Sequence, residues 1–136
     1  MRRLLLLCAA ALATACGGGD HAGNVISQPT AVMTVDVQAS VFTPRCAVSG
    51  CHIGQGAPMD LDLGSVASTR ANTVDVPAQE APALMRVAPG DPANSYLFRK
   101  VTHDPTILGD PMPAQGGPLT ASQIELIETW IEQGAR

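Results

Sequence analysis

Aromatic side chains are scarce in this chain. Phe42, Tyr96, Phe98 and Trp130 are the only four among 136 residues, or 3% of the sequence, beside 13 glycines and 11 prolines. A domain of about a hundred residues with so few large side chains has little apolar surface with which to fill its own core. The length predicts one domain, and the composition predicts a thin core that a further apolar group would complete.

Basic residues are also few, with 8 Lys and Arg against 12 Asp and Glu and a net charge of −4. An acidic domain lacks the positive surface that binds a phosphate backbone, so we predict no nucleic-acid partner. A negative surface instead suits a basic partner protein. The sequence shows no carboxylate pair, no nucleophile with a base and no phosphate-binding loop, so we predict that the protein is not an enzyme.

A long hydrophobic run occurs only at the N-terminus. Met1-Arg2-Arg3 precedes an apolar stretch, Leu4 to Ala15, that is too short to span a membrane. A basic start, a short apolar run and small residues before a break are typical of a secretory signal peptide. Ala13-Thr14-Ala15 directly before Cys16 resembles a bacterial lipobox, in which the cysteine is lipidated and becomes the mature N-terminus. The alternative is ordinary cleavage that leaves Cys16 free.

The chain therefore divides into three parts. Gly17-Gly18-Gly19 opens a low-complexity stretch after Cys16, which predicts a flexible tether. Cleavage before Cys16 leaves six basic and twelve acidic residues, and it leaves Cys46 and Cys51 as the only cysteine pair of the folded domain. In order, we predict a lipoprotein signal peptide over 1–15, a tether over 16–34 and a folded domain over 35–136.

The central motif of the domain is Cys46-Ala47-Val48-Ser49-Gly50-Cys51-His52. Two nearby cysteines with a histidine directly after the second form the attachment signal for c-type haem, in which both thiols bond to the porphyrin and the imidazole binds the iron. Four residues separate the cysteines, in place of the usual two. A five-residue step on an ideal helix would place the sulfurs about 140° apart. We therefore predict an irregular turn, with Ser49-Gly50 as its flexible part.

Two other chemistries are open to the same motif. Cys46 and Cys51 could form a disulfide in an oxidising compartment. Both thiolates and His52 could also bind zinc or copper, with His103 or a carboxylate as the fourth ligand. The first alternative predicts a disulfide-stapled surface lipoprotein that binds another protein without haem, and the second predicts a metal-sensing or metal-storage protein.

The local signals predict a mainly helical domain with long loops. The loop from His103 to Leu119 holds four prolines, and two of them flank Met112 and restrict its backbone. A methionine held in this way suits a thioether that must be presented at a fixed place. In the first half of the domain we predict a helix within Val35–Phe42, a fresh turn at Thr43-Pro44 and a short extended piece over Met59–Leu63. Two helices follow, one from Val66 to Ala71 capped by Ser65 and one from Pro92 to Val101 capped by Asp91. A C-terminal helix begins at the capping box Thr120–Gln123 and ends at Gly134.

Four stretches of sequence carry a family resemblance. They are Phe42-Thr43-Pro44-Arg45-Cys46, Pro89-Gly90-Asp91-Pro92 with Ser95-Tyr96-Leu97, Met112-Pro113 before Pro118-Leu119-Thr120, and Trp130-Ile131-Glu132-Gln133-Gly134-Ala135. Together with the cysteine motif they resemble a mono-haem c-type cytochrome domain, in particular the lipoprotein-type cytochrome c of environmental bacteria. The resemblance covers about residues 35–136, and the four-residue gap between the cysteines is its departure from the family pattern.

The resemblance implies a small cytochrome c-like helical domain with long loops around one covalent haem c. It implies that Cys46 and Cys51 attach the haem, that His52 is the proximal iron ligand and that Met112 is the distal ligand. His103 is the rival distal ligand, and it would give a lower reduction potential. The implied function is electron transfer in the bacterial cell envelope, on the periplasmic or outer-surface side, with redox proteins as partners and a lipid anchor at Cys16 on the membrane.

Overall fold

The computed structural model describes residues 30–136. This part of the protein is mainly helical, as predicted, and contains isolated β-bridges but no β-strand. The predicted signal peptide, the lipidation site at Cys16 and residues 16–29 of the predicted tether lie outside the described residues. The helices are α1 (Thr34–Val37), α2 (Val66–Thr73), α3 (Tyr96–Val101) and α4 (Ala121–Glu132), and they are joined by a π-helical segment (Gln38–Cys46) and two 3-10 turns (Pro58–Asp60 and Pro92–Asn94).

Helix α4 follows from its own sequence. The Thr120 side chain accepts from the Gln123 amide and the Gln123 side chain accepts from the Thr120 amide, so the predicted capping box is confirmed. The chain leaves the helix through Gly134 at φ +91°, a conformation that favours glycine. The helix packs on the core through Ile127, Trp130 and Ile131, which are buried.

The core is centred on Trp130. Its ring meets that of Phe42 edge to face, with centroids 6.0 Å apart and planes at 78°. The indole N–H donates to the Thr34 hydroxyl oxygen at 3.1 Å, so the one polar atom of this side chain is satisfied inside the core. Val37 and Val41 are buried in the same core cluster as Phe42.

The two ends of the domain meet. The Thr34 amide donates to the carbonyl of Arg136, the C-terminal residue. The Val32 amide donates to the Gln133 side chain at 2.7 Å, and the Arg70 guanidinium donates to the Ala135 carbonyl at 2.8 Å. Hydrogen bonds of the folded domain therefore already begin at Val32, shortly before residue 35.

The first helix does not end near Phe42, so that prediction is wrong. It continues through Pro44 as a π-helical segment to Cys46, and no fresh turn begins at Thr43. A π-helix bonds residues five apart, so its wider turn relieves the clash between a proline ring and the carbonyl four residues earlier. Cys46 is the last residue of this segment, whereas Cys51 lies in the irregular turn beyond it.

The helix after Asp91 is interrupted. Asp91 caps a 3-10 turn at Pro92, as predicted, but α3 begins only at Tyr96. The Ser95 side chain accepts from the Ala88 amide at 2.8 Å and donates to the Asp91 carbonyl at 2.8 Å. The Tyr96 amide donates to the Met85 carbonyl instead of to its own helix. Contacts with residues 85–88 therefore override the helical pattern.

The region between the motif and α2 is less extended than predicted. Met59 and Asp60 lie in the left-handed region, with φ values of 58° and 50°, so the chain is kinked there instead of extended. Leu63 is buried and Leu61 is partly buried. Helix α2 has its predicted cap at Ser65 and continues to Thr73, two residues beyond Ala71.

Candidate functional site

The cysteine motif forms an irregular turn whose two ends are hydrogen-bonded to each other. The His52 amide donates to the Cys46 carbonyl at 3.0 Å, and the Cys51 amide donates to the Val48 carbonyl at 2.9 Å. Gly50 lies at φ +80° inside the turn. The intervening residues are thus accommodated as a bulge while Cys46 and His52 stay close, which confirms the predicted irregular turn.

Both cysteines of the motif are free thiols and are half-buried. Burial raises the pKa of the Cys46 thiol to about 11, and the charge of Arg45 opposes this rise in part. Cys51 adds slightly to the rise. Cys46 is therefore an uncharged thiol at neutral pH, held in an apolar environment.

His52 is oriented by the loop that follows it. Its Nδ1 lies 3.2 Å from the Leu61 carbonyl, which can only accept, so Nδ1 carries the proton and Nε2 keeps its lone pair. Burial is the main cause that lowers the pKa of His52; the Arg86 charge lowers it further, while hydrogen bonding to the backbone raises it in part. The imidazole is thus neutral and its direction is fixed, as a metal ligand requires.

An apolar cleft opens beside the motif. It has a volume of about 150 Å³ and is open to solvent at its mouth. Cys46, His52 and Met112 all line this cleft, whereas Cys51 and His103 do not. Most of the remaining wall is apolar and includes Phe42, Leu61, Leu63, Ala78, Leu97 and Val101.

Met112 reaches the cleft from the long loop before α4. It is partly buried against the core, and its amide donates to the Lys100 carbonyl at 3.0 Å. His103 is exposed, with φ 58°, on the turn that follows α3. The structure therefore brings the first of the two predicted distal ligands to the same cleft as His52 and leaves the second outside it.

Three charged side chains of the cleft wall were not predicted from the sequence: Glu80, Arg86 and Lys100. Arg86 is only 7% exposed and donates to the Asn72 carbonyl at 2.8 Å and to the Met59 carbonyl. Lys100 is also 7% exposed. No local signal marks its burial, because that burial depends on contacts with Glu80 and with the loop 108–112.

The donor set of the cleft fits a c-type haem. A neutral imidazole and a thioether are haem-iron ligands, a free thiol lies in the wall with the second one in the same turn, and the walls are mostly apolar. By contrast, residues 30–136 contain no group of three or more His, Cys, Asp or Glu side chains that could hold a metal ion. The alternative zinc or copper site at Cys46, Cys51, His52 and His103 is not assembled in that range.

In residues 30–136, no helix combines the length and the apolar character that crossing a membrane requires. Comparison of the chain with protein-family models, with curated proteins and with solved structures finds no match.

Proposed function

We propose that the protein is an electron carrier with one covalently attached haem c. Cys46 and Cys51 would hold the porphyrin by thioether bonds, His52 would bind the iron through Nε2, and Met112 would bind it from the other side. One observation carries the proposal: Cys46, His52 and Met112 line one apolar cleft, although Met112 belongs to a loop far along the chain. When bound, the haem supplies reversible one-electron chemistry at its iron.

The residues of the chain provide orientation and exclusion of water. The Leu61 carbonyl fixes the His52 ring so that Nε2 is available without any proton loss. The apolar wall of Phe42, Leu97 and Val101 keeps solvent away from a buried group. A low local dielectric of this kind is one of the means by which a protein sets a reduction potential.

Met112 is preferred over His103 as the distal ligand because only Met112 lines the cleft. A thioether ligand raises the potential of haem iron relative to a second imidazole. The proposed carrier is therefore a His/Met protein of comparatively high potential. No catalytic role is proposed for it.

The test is covalent retention of haem. Protein produced with haem-attachment machinery should keep its colour through acidified organic extraction, and a Cys46→Ser, Cys51→Ser double variant should lose it. Mass spectrometry should show the addition of one haem to the wild type. Colourless wild-type protein that has lost only two hydrogens would instead support the disulfide-stapled, protein-binding alternative.

We also propose that the carrier is anchored by lipid at Cys16 in the bacterial cell envelope, on the periplasmic or outer-surface side. Cleavage before Cys16 leaves 12 acidic against 6 basic residues, and this negative balance suits a basic redox partner. Labelled palmitate should enter the wild type, and Cys16→Ser should abolish labelling while haem stays attached. Unlabelled wild-type protein with another N-terminus would refute the anchor.

A further inference from the structure

Lys100 is the only lysine of the chain, and its ammonium group is buried in the wall of the cleft. Nζ forms an ion pair with Glu80 Oε2 at 2.7 Å. It also donates to the carbonyls of Leu108 and Asp110, the latter at 3.1 Å. An ammonium has three N–H donors, and here each has an acceptor.

The carbonyls that Lys100 binds belong to the loop that carries Met112. The main-chain carbonyl of Lys100 accepts from the Met112 amide at 3.0 Å, so one residue holds the loop through both its side chain and its backbone. Tyr96, one turn earlier on α3, adds a second attachment. The Leu108 amide donates to its phenolic oxygen at 2.9 Å, and the Lys100 ammonium lies 5.5 Å from its ring centroid.

The loop approaches the ion pair at Gly109. This residue has φ +66°, a conformation that favours glycine, and a Cβ there would lie 2.9 Å from Glu80 Oε1 and 3.6 Å from Lys100 Nζ. A side chain at this position would have to displace the Glu80 carboxylate. The Lys100 ammonium, with its Glu80 partner, thus contacts the loop at residues 108–110, within five residues of Met112.

We propose that Lys100 is the positioning residue of Met112: it fastens the loop 108–112 to α3 and so presents the thioether in the cleft. Glu80 is the counter-ion that makes the buried ammonium tolerable, since an unpaired buried charge is costly. The role of Met112 as a ligand rests on the proposed function, whereas the fastening of the loop belongs to the chain itself. Two separate measurements can therefore test the two ideas.

The first measurement is amide hydrogen exchange on haem-free protein. Lys100→Met keeps the length of the side chain but removes its charge and its donors. Exchange at the Leu108 and Met112 amides should speed up at least about tenfold relative to amides of α4, because two charge-assisted hydrogen bonds are lost. Lys100→Arg should restore part of the protection. The control is Arg99→Met, since Arg99 donates to the Ala93 carbonyl and the Thr106 hydroxyl and should leave both amides unchanged.

The second measurement is the sulfur-to-iron charge-transfer band of oxidised, haem-loaded protein. Lys100→Met should weaken this band and lower the reduction potential, whereas Arg99→Met should change neither. Equal exchange in the Lys100 and Arg99 variants, or a full band in Lys100→Met, would overturn the proposal. A third outcome separates the two ideas. If Lys100→Met speeds exchange at Leu108 and Met112, but the wild-type protein never takes up haem, the fastening of the loop is upheld and the electron carrier is refuted.

Glu80→Gln is a second variant, for use if Lys100→Met does not fold. Loss of exchange protection at the α4 amides would show that Lys100→Met is unfolded. It keeps an oxygen acceptor for Nζ but removes the counter-charge, so we expect a smaller increase in exchange at Leu108 and Met112. Unchanged exchange at these two amides in folded Glu80→Gln would also overturn the proposal.

Discussion

The core around Trp130 and the cleft beside His52 meet at Phe42 and differ in how they are completed. Phe42 packs edge-on against Trp130 on one side and lines the cleft on the other. In the core, Ile127, Trp130 and Ile131 are fully buried by neighbouring protein atoms. In the cleft, Leu97 and Met112 are only partly buried, and a volume of about 150 Å³ is left free of protein.

The difference in packing between the core and the cleft follows from the small number of aromatic side chains. Trp130 and Phe42 complete one half of the domain, and their packing depends on no other molecule. The cleft instead leaves free volume beside apolar side chains, as the pockets that bind cofactors and ligands do. Substitutions in the core should therefore affect the free energy of unfolding most, and substitutions in the cleft should affect what is bound there.

The largest expected effect is that of Trp130→Ala. Removal of a fully buried indole should lower the free energy of unfolding by about 3–5 kcal/mol. Urea unfolding of haem-free protein measures this loss, and Glu125→Ala, on the exposed side of the same helix, should stay within about 0.5 kcal/mol of the wild type. A loss below about 1 kcal/mol would mean that the core is not the self-sufficient half of the domain.

A smaller effect is expected at the boundary between the two regions. The buried Thr69 hydroxyl donates to Gln38 Oε1 at 2.7 Å, and Gln38 Nε2 donates to the carbonyl of Leu63 in the cleft wall at 2.8 Å. Thr69→Val would leave Gln38 Oε1 buried without a donor, so we expect a loss of about 1–3 kcal/mol. Thr102→Val, at an exposed hydroxyl at the end of α3, is the matched control. If the two variants had equal unfolding curves, the hydrogen bond from Thr69 to Gln38 would not stabilise the fold.

Met112→Ala should separate stability from ligation. Met112 is only partly buried, so haem-free protein should lose about 1 kcal/mol. In haem-loaded protein, the same change should remove the sulfur-to-iron charge-transfer band and lower the reduction potential, while the covalent bonds at Cys46 and Cys51 stay intact. His103→Ala should change neither property. A normal spectrum for Met112→Ala and an altered one for His103→Ala would show a bis-histidine iron.

The smallest expected effect is a pH dependence in the loop after His52. The Asp62 carboxylate accepts from the amides of Gly54 at 2.9 Å and Gly64 at 2.8 Å, and these bonds lower its pKa. Such a group stabilises the fold above its unfolded pKa and loses that contribution as the pH falls through its folded pKa. The difference in melting temperature between the wild type and Asp62→Asn should therefore narrow as the pH falls below 3.8. A difference in melting temperature that stays constant with pH would contradict this role of Asp62.

Helix α4 could be predicted because its cap, its apolar face and its C-terminal glycine are local in sequence. The bulge in the cysteine motif was also predictable, since the five-residue step does not fit a helix. The interruption at Ser95 was not, because its cause is the distant Ala88 amide. The burial of Lys100 likewise depends on Glu80 and the loop 108–112, which no local pattern connects to α3.

The hydrogen bond from the Thr34 amide to the Arg136 carbonyl has a consequence for engineering. Because the two ends of the domain are neighbours, a short linker could join them and new termini could be opened in an exposed loop. Equally, the domain could be inserted into a surface turn of a host protein without stretching either connection. The same feature makes a C-terminal fusion emerge beside Val32 and Thr34, so a cargo attached there would lie on the side on which the described part of the chain begins.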